Sequence, residues 1–369
     1  MKDNLSPHHG VRIGALELPG NLFLAPVAGY SDAAFRSVCV EQGADLCYTE
    51  MVSSEALTRD HPATKALLAR AENEKLYAVQ LFGARPETLA KAAVLLLPWK
   101  PALIDLNCGC PVPKIVRAGA GSALMRRPEA IRDIVSAMRS SLAAAGASRI
   151  PVTVKIRTGW DSESVNFLEA AHAAVEGGAS AVTLHARTKA QGYSGSADWS
   201  RIAELASALD VPVFGSGDVF RPEDAVRLLK ETKCSGVMVA RGAMGNPFIF
   251  REARALLEGS PISPATTAER AAAARRHLEL SAKFLGERRA CVEFRKQFCS
   301  YTKGTVSGAE LRAEAVRSSS LAEFSRLLGR WASMAAEATE VPEAADAAEV
   351  PEAAEAAEAT VQGEDDFFK

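Results

Sequence analysis

Eight short apolar, β-branched runs punctuate the first 250 residues, at 22–25, 45–48, 77–81, 103–106, 152–156, 181–185, 212–215 and 236–240. Longer Ala/Leu-rich amphipathic stretches separate most of them, with room for a helix and a return loop. Alternating βα units imply a parallel sheet, because a parallel neighbour is reached only through a crossover. Eight such units suit a closed barrel. An open doubly wound sheet would carry a Gly-rich dinucleotide turn after its first strand, whereas Leu24-Ala-Pro-Val-Ala-Gly29 stands there. The expected fold is therefore α/β, a (β/α)8 TIM barrel, with 11–19 a hairpin closing its bottom.

Polar residues collect where the strands end: Glu50, Gln80, Asn107 with Cys110, Lys155 with Arg157, His185 with Arg187, Ser216-Gly217-Asp218, and Arg241-Gly242. Any one of them has an ordinary explanation in capping or a surface ion pair. Their repetition around the barrel points to one site on the C-terminal face, where barrel enzymes build their active sites.

After Phe250 the pattern changes to helices alone, read at 267–285, 289–301 and 320–335, a small bundle. The chain divides into a barrel over 1–250, a helical domain over 251–335 and a tail over 336–369. The formal charge of −2 hides an asymmetry: 251–335 holds 15 basic and 9 acidic residues, while 336–369 holds eleven acidic residues and one lysine. A basic module beside a near-neutral body suits a polyanionic partner. The contact strip is read at Arg288, Arg289, Arg295 and Lys296, with Phe294 and Phe298 packed inward as the core of an amphipathic helix. The tail, with its near-repeat Val-Pro-Glu-Ala-Ala, is expected to be disordered.

Seven irregularly spaced cysteines make no disulfide framework and suit a reducing compartment. The first ten residues are polar, and no apolar run approaches the ~20 residues of a membrane span. A cytoplasmic location is expected. Cys108 and Cys110 lack a partner pair at zinc spacing, so no metal is assigned, and Cys110 reads as a reactive thiol on the tight loop Asp105-Leu-Asn-Cys-Gly-Cys-Pro-Val-Pro-Lys114. Small residues in Phe214-Gly-Ser-Gly-Asp218 and Val239-Ala-Arg-Gly-Ala-Met-Gly245 let backbone N–H groups approach a phosphate, with Arg241 adding charge.

Six segments in order carry a more specific likeness: Ala25-Pro-Val-Ala-Gly-Tyr-Ser-Asp32, Gln80-Leu-Phe-Gly83, Asn107-Cys-Gly-Cys-Pro111, Val154-Lys-Ile-Arg-Thr-Gly-Trp160, Leu184-His-Ala-Arg-Thr188 and Ala240-Arg-Gly-Ala-Met-Gly245. Together, over about 11–328, the chain resembles the flavin-dependent tRNA-dihydrouridine synthases, bacterial B-type branch. The resemblance implies reduction of the C5=C6 bond of D-loop uridines in tRNA, with hydride from FMN N5 to C6 and a proton from Cys110 to C5. NADPH would reduce the flavin, and no obligate protein partner is implied. Pro26, Val27, Ala28, Gln80, Lys155 and His185 would line the flavin, Lys155 placing charge at its N1/O2 side. Ser216, Gly217, Asp218, Ala240 and Arg241 would hold its phosphate, and Asn107 and Arg187 the uridine. Val27, Ser216 and Ala240 depart from the family's usual methionine, asparagine and glycine. Two other readings compete: a flavin barrel acting on a free pyrimidine, and a noncatalytic RNA-binding protein on the same scaffold. The basic helices oppose the first and the intact Cys110, Lys155, His185 and Arg241 the second.

Overall fold

Eight parallel strands close on themselves in the computed structural model, which describes residues 8–337. They are β1 Leu22–Leu24, β2 Leu46–Tyr48, β3 Tyr77–Phe82, β4 Leu103–Cys108, β5 Val152–Arg157, β6 Val182–His185, β7 Val213–Ser216 and β8 Gly236–Val239. Pairing of β8 with β1 and of β2 with β3 completes the ring. The expected barrel is present, each strand within two residues of its predicted bounds. An antiparallel hairpin, Val11–Ile13 against Leu16–Leu18, precedes it and packs Val11, Ile13 and Leu18 into one cluster with the inward-facing Phe23, Ala78, Leu103 and Phe214.

The two-residue period of a strand sorts every side chain to one of two layers. In β4, Ile104, Leu106 and Cys108 face the helices, and in β5 Val152, Val154 and Ile156 do the same. The intervening residues, Asp105 and Asn107, Thr153 and Lys155, then point inward. Register sets them side by side: Gln80 is opposite Asp105, Asn107 opposite Lys155, and His185 opposite both Arg157 and Ser216. Cys108 is thereby a packing residue of the outer layer, fully buried.

The helix Ile249–Leu257 buries Ile249, Phe250, Ala253 and Leu257 in that same outer layer. Helices Thr267–Leu285, Glu287–Tyr301, Gly308–Ala315 and Leu321–Glu337 follow and enclose a separate cluster built around Phe294, Phe298, Tyr301, Phe324 and Trp331. Phe294 and Phe298 are core, as expected. A capping box, Thr266 with Glu269, starts the first of these helices where the sequence placed it. The short helix Gly308–Ala315 was not anticipated; it follows Ser307 in a left-handed conformation. The acidic tail lies, from residue 338 onward, outside the described residues.

The helical unit sits against the barrel's first βα unit. His277 is fully buried, with its ring 5.4 Å from Phe35 of helix Ala33–Glu41 and 5.4 Å from Phe294. Arg276 pairs with Glu41 at 3.0 Å. Gly245 has φ +68°, and a Cβ there would lie 2.2 Å from the Ser300 carbonyl carbon, so only glycine permits this approach of the β8 loop to helix Glu287–Tyr301.

Candidate active site

The C-terminal strand ends open into one cavity of about 620 Å³, within the range of small-molecule and cofactor sites. Its wall includes all eleven residues assigned above to a cofactor: Pro26, Val27, Ala28, Gln80, Lys155, His185, Ser216, Gly217, Asp218, Ala240 and Arg241. Asn107 and Cys110 line it too.

A chain of hydrogen bonds runs from the barrel interior to the thiol loop. Thr153 Oγ1 and Gln80 Nε2 donate to the two oxygens of Asp105 at 2.6 and 2.7 Å. A carboxylate only accepts, so it turns the Gln80 carbonyl toward Asn107, whose Nδ2 donates to Oε1 at 2.8 Å. Asn107 Oδ1 is then free to accept from the backbone N–H groups of Gly109 and Cys110, at 3.1 and 2.9 Å. One buried acid therefore sets two amide orientations and anchors the loop carrying Cys110. Burial lifts Asp105 to about 6, and it is still an anion at neutral pH.

Burial acts on the other titratable groups according to their charge. It pushes the Cys110 thiol up to about 11, so the residue is a protonated thiol rather than a thiolate at neutral pH. It brings Lys155 down to about 8, helped by Arg157 and opposed by Asp105. His185 is held neutral, well below its ordinary value, by burial and by Arg157, Lys155, Arg187 and Arg241. Excess positive charge thus faces this side of the cavity.

At the far end Asp218 gathers three donors: Arg187 Nη2 at 2.7 Å, the Ala197 N–H at 2.7 Å and Arg241 Nη2 at 3.1 Å. Gly217 has φ +121°, and a Cβ on it would come within 3.1 Å of the His185 ring, so this wall is as open as a backbone allows. Arg241 lies between two rings, 4.5 Å from the Tyr193 centroid and 5.0 Å from Phe220. Arg187 is placed behind this wall rather than in it. Buried to 2 % exposure, it donates to the Ser194 and Gly195 carbonyls as well as to Asp218.

The four basic residues of the helical unit separate. Arg288 and Arg289 are exposed at the start of helix Glu287–Tyr301, and Arg289 pairs with Glu293 at 2.7 Å. Arg295 is turned back to the Ser318 carbonyl. Lys296 reaches the barrel mouth, 5.6 Å from the Tyr30 ring centroid. Met51, Tyr193 and Phe220 also line the cavity and were not singled out from the sequence. Met51 directly follows Glu50, and Tyr193 lies between Gly192 and Gly195, whose spacing marks a loop but not its direction.

A family model described as dihydrouridine synthase (Dus) matches residues 23–338. The chain belongs to the dihydrouridine synthase family. A Treponema pallidum protein named probable tRNA-dihydrouridine synthase is 50% identical over 326 residues, 87% of this chain and 96% of its own length. A Mycobacterium tuberculosis protein of the same name is 38% identical, over 88% of this chain and 86% of its own. A Pasteurella multocida protein named tRNA-dihydrouridine synthase B is 34% identical, over 80% of this chain and 87% of its own, in keeping with the B-type branch. Among solved structures, a Rhizobium histamine dehydrogenase matches with TM-score 0.52 and 14% identity over 73% of this chain. A Pseudomonas geniculata amine oxidase matches with TM-score 0.52 and 15% identity over 72%. This chain spans about half of each of those two, and the likeness is one of fold. For this synthase-family chain, no described helix is long and apolar enough to cross a membrane.

Proposed function

We propose that the protein is an FMN-containing, NADPH-dependent tRNA-dihydrouridine synthase of the cytoplasm, acting on D-loop uridines. The observation that carries the reading is a protonated thiol, Cys110, held on an anchored loop at a cavity that the neighbouring strand supplies with Lys155 and Arg157. The division of labour follows the barrel over 1–250 and the helical domain over 251–335.

The cavity fits a flavin in volume and in charge. Pro26 to Ala28, Gln80, Lys155 and His185 would hold the ring, and Ser216 to Asp218 with Ala240 and Arg241 the phosphate end. When bound, the flavin supplies the hydride that adds to C6 of uracil. Negative charge then develops toward C5 and O4 of the base, and Cys110 delivers the balancing proton to C5 as general acid. Lys155 places its charge where negative charge collects in the cavity. Arg187, tied to Asp218 and to the loop carrying Tyr193, acts by shaping the cavity wall those residues form. The uridine must leave its stack to enter, while Lys296 and the exposed Arg288 and Arg289 meet the phosphate backbone.

Mapping dihydrouridine by mass spectrometry in tRNA from cells with and without the gene tests the function. Loss of the modification at particular uridines, restored by the wild-type gene, is expected. An unchanged map would remove tRNA reduction as the activity.

A further inference from the structure

Arg157, at the end of β5, is 3 % exposed and makes all three of its hydrogen bonds to main-chain carbonyls. Nε donates to Gly109, next to Cys110, at 2.8 Å. Nη1 donates to Thr188 at 2.8 Å and to Gly192, next to Tyr193, at 3.0 Å. The first carbonyl belongs to the loop after β4 and the other two to the loop after β6. One rigid guanidinium therefore spans two loops from strands on either side of its own.

Burying a cation without a carboxylate partner is costly. Core packing alone does not call for it, and a lysine could not repeat the arrangement: its point charge has no planar fork to serve opposed acceptors. On its Cys110 side the loop is also tied by Asn107 and by the Ser122 N–H on the Cys110 carbonyl. On the other side, backbone bonds from Lys189 to Gly159 and from Ala190 to Trp160 hold the near half of the β6 loop. The Gly192 end, beside Tyr193, is where Arg157 reaches furthest.

We propose that Arg157 is a positioning residue for the reaction, locking the Cys110 loop and the Tyr193 loop into one unit so that the proton donor and the Tyr193 wall of the same cavity keep a fixed separation. The proposal rests on the reading of Cys110 as proton donor. It gives Arg157, which also lines the cavity and adds its charge beside Lys155 and His185, a geometric role that its charge alone does not supply.

Arg157→Lys keeps the charge and removes the fork. The expected result is a kcat lower by about 100-fold, the scale of a 1 Å misplacement, with KM for tRNA within about threefold. The pH midpoint for alkylation of Cys110, read by peptide mass spectrometry, should fall from about 11 toward the ordinary 9.0 as the loop loosens and burial is relieved. Free guanidinium should restore both values in Arg157→Ala. Wild-type kcat and midpoint in Arg157→Lys would overturn the proposal. Hydrogen–deuterium exchange on the wild type needs no variant to fold: 107–112 and 186–195 should open together, with one dependence on denaturant, and independent opening would overturn the bridge. Cys110→Ala separates the two ideas. Undiminished turnover there removes the proton-donor reading itself; slow turnover there, with Arg157→Lys unaffected, removes only the bridge.

Discussion

Raising the pH distinguishes a buried donor thiol from a nucleophilic one. Cys110 lines the cavity together with Pro111, Val112 and Pro113, and burial moves its titration from 9.0 to about 11, against smaller opposing effects of the Val112 N–H and Arg157. Two units change the thiolate fraction at pH 8 from roughly one in ten to one in a thousand, so alkylation by iodoacetamide should run about 100-fold slower than at an exposed cysteine. The form that donates is the protonated one. A raised value keeps that form fully populated below about 11 and loses it only as pH rises through that point. With FMN saturating at every pH, turnover limited by proton donation should thus stay level from pH 7 to about 10, where a cysteine of ordinary acidity would already be roughly nine-tenths ionised. The assay is single-turnover dihydrouridine formation across that range, with alkylation of the Cys110 peptide followed in parallel. A rate falling around pH 9, together with alkylation as fast as that of free cysteine, would refute the argument from burial.

Three other outcomes follow from the same electrostatics. Lys155 titrates at about 8 in the empty cavity, so FMN affinity should weaken above that pH by up to about tenfold per unit, and Lys155→Met should abolish the dependence; a pH-independent Kd in the wild type, read by flavin fluorescence, removes Lys155 from the anion site. Arg288→Gln and Lys296→Gln should each lower the salt slope of tRNA binding by about 0.7–0.9, whereas Arg295→Gln, whose side chain is committed to Ser318, should leave the slope and lower Tm. Glu50 accepts from the Gly29 N–H and is raised by burial from 4.5 to about 7. The folded state then holds this proton more tightly than the unfolded chain, and stability is lost as pH rises from 4.5 through 7; Glu50→Gln should recover up to about 3 kcal/mol at pH 8 relative to pH 4, and a pH-independent difference in unfolding free energy would contradict it.

The barrel was legible because two periods coincide in it: alternation within each strand and the return of a strand after each helix. The same alternation carries Gln80, Asn107, Lys155 and His185 to one cavity, since each is the last inward residue or nearly so on its strand. What strand logic does not reach is the path of long loops. Arg187 follows His185 by two residues yet ends behind the wall, because the chain has left the strand and its guanidinium is taken by Asp218 and two carbonyls. Tyr193 arrives at the cavity through two glycine-marked bends that no periodicity encodes. Arg295 and Lys296 are neighbours on one helix, but 100° of rotation sends one to Ser318 and the other to the mouth beside Tyr30.

The proposed role of Cys110 is to protonate a tRNA uracil at the flavin site of the barrel. Its most direct test is dihydrouridine formation by purified wild-type protein and Cys110→Ala, given FMN, NADPH and tRNA lacking the modification. The variant should bind FMN and tRNA and accept electrons from NADPH as the wild type does, while forming dihydrouridine about 10²–10⁴-fold more slowly. Equal rates from the two proteins would contradict it.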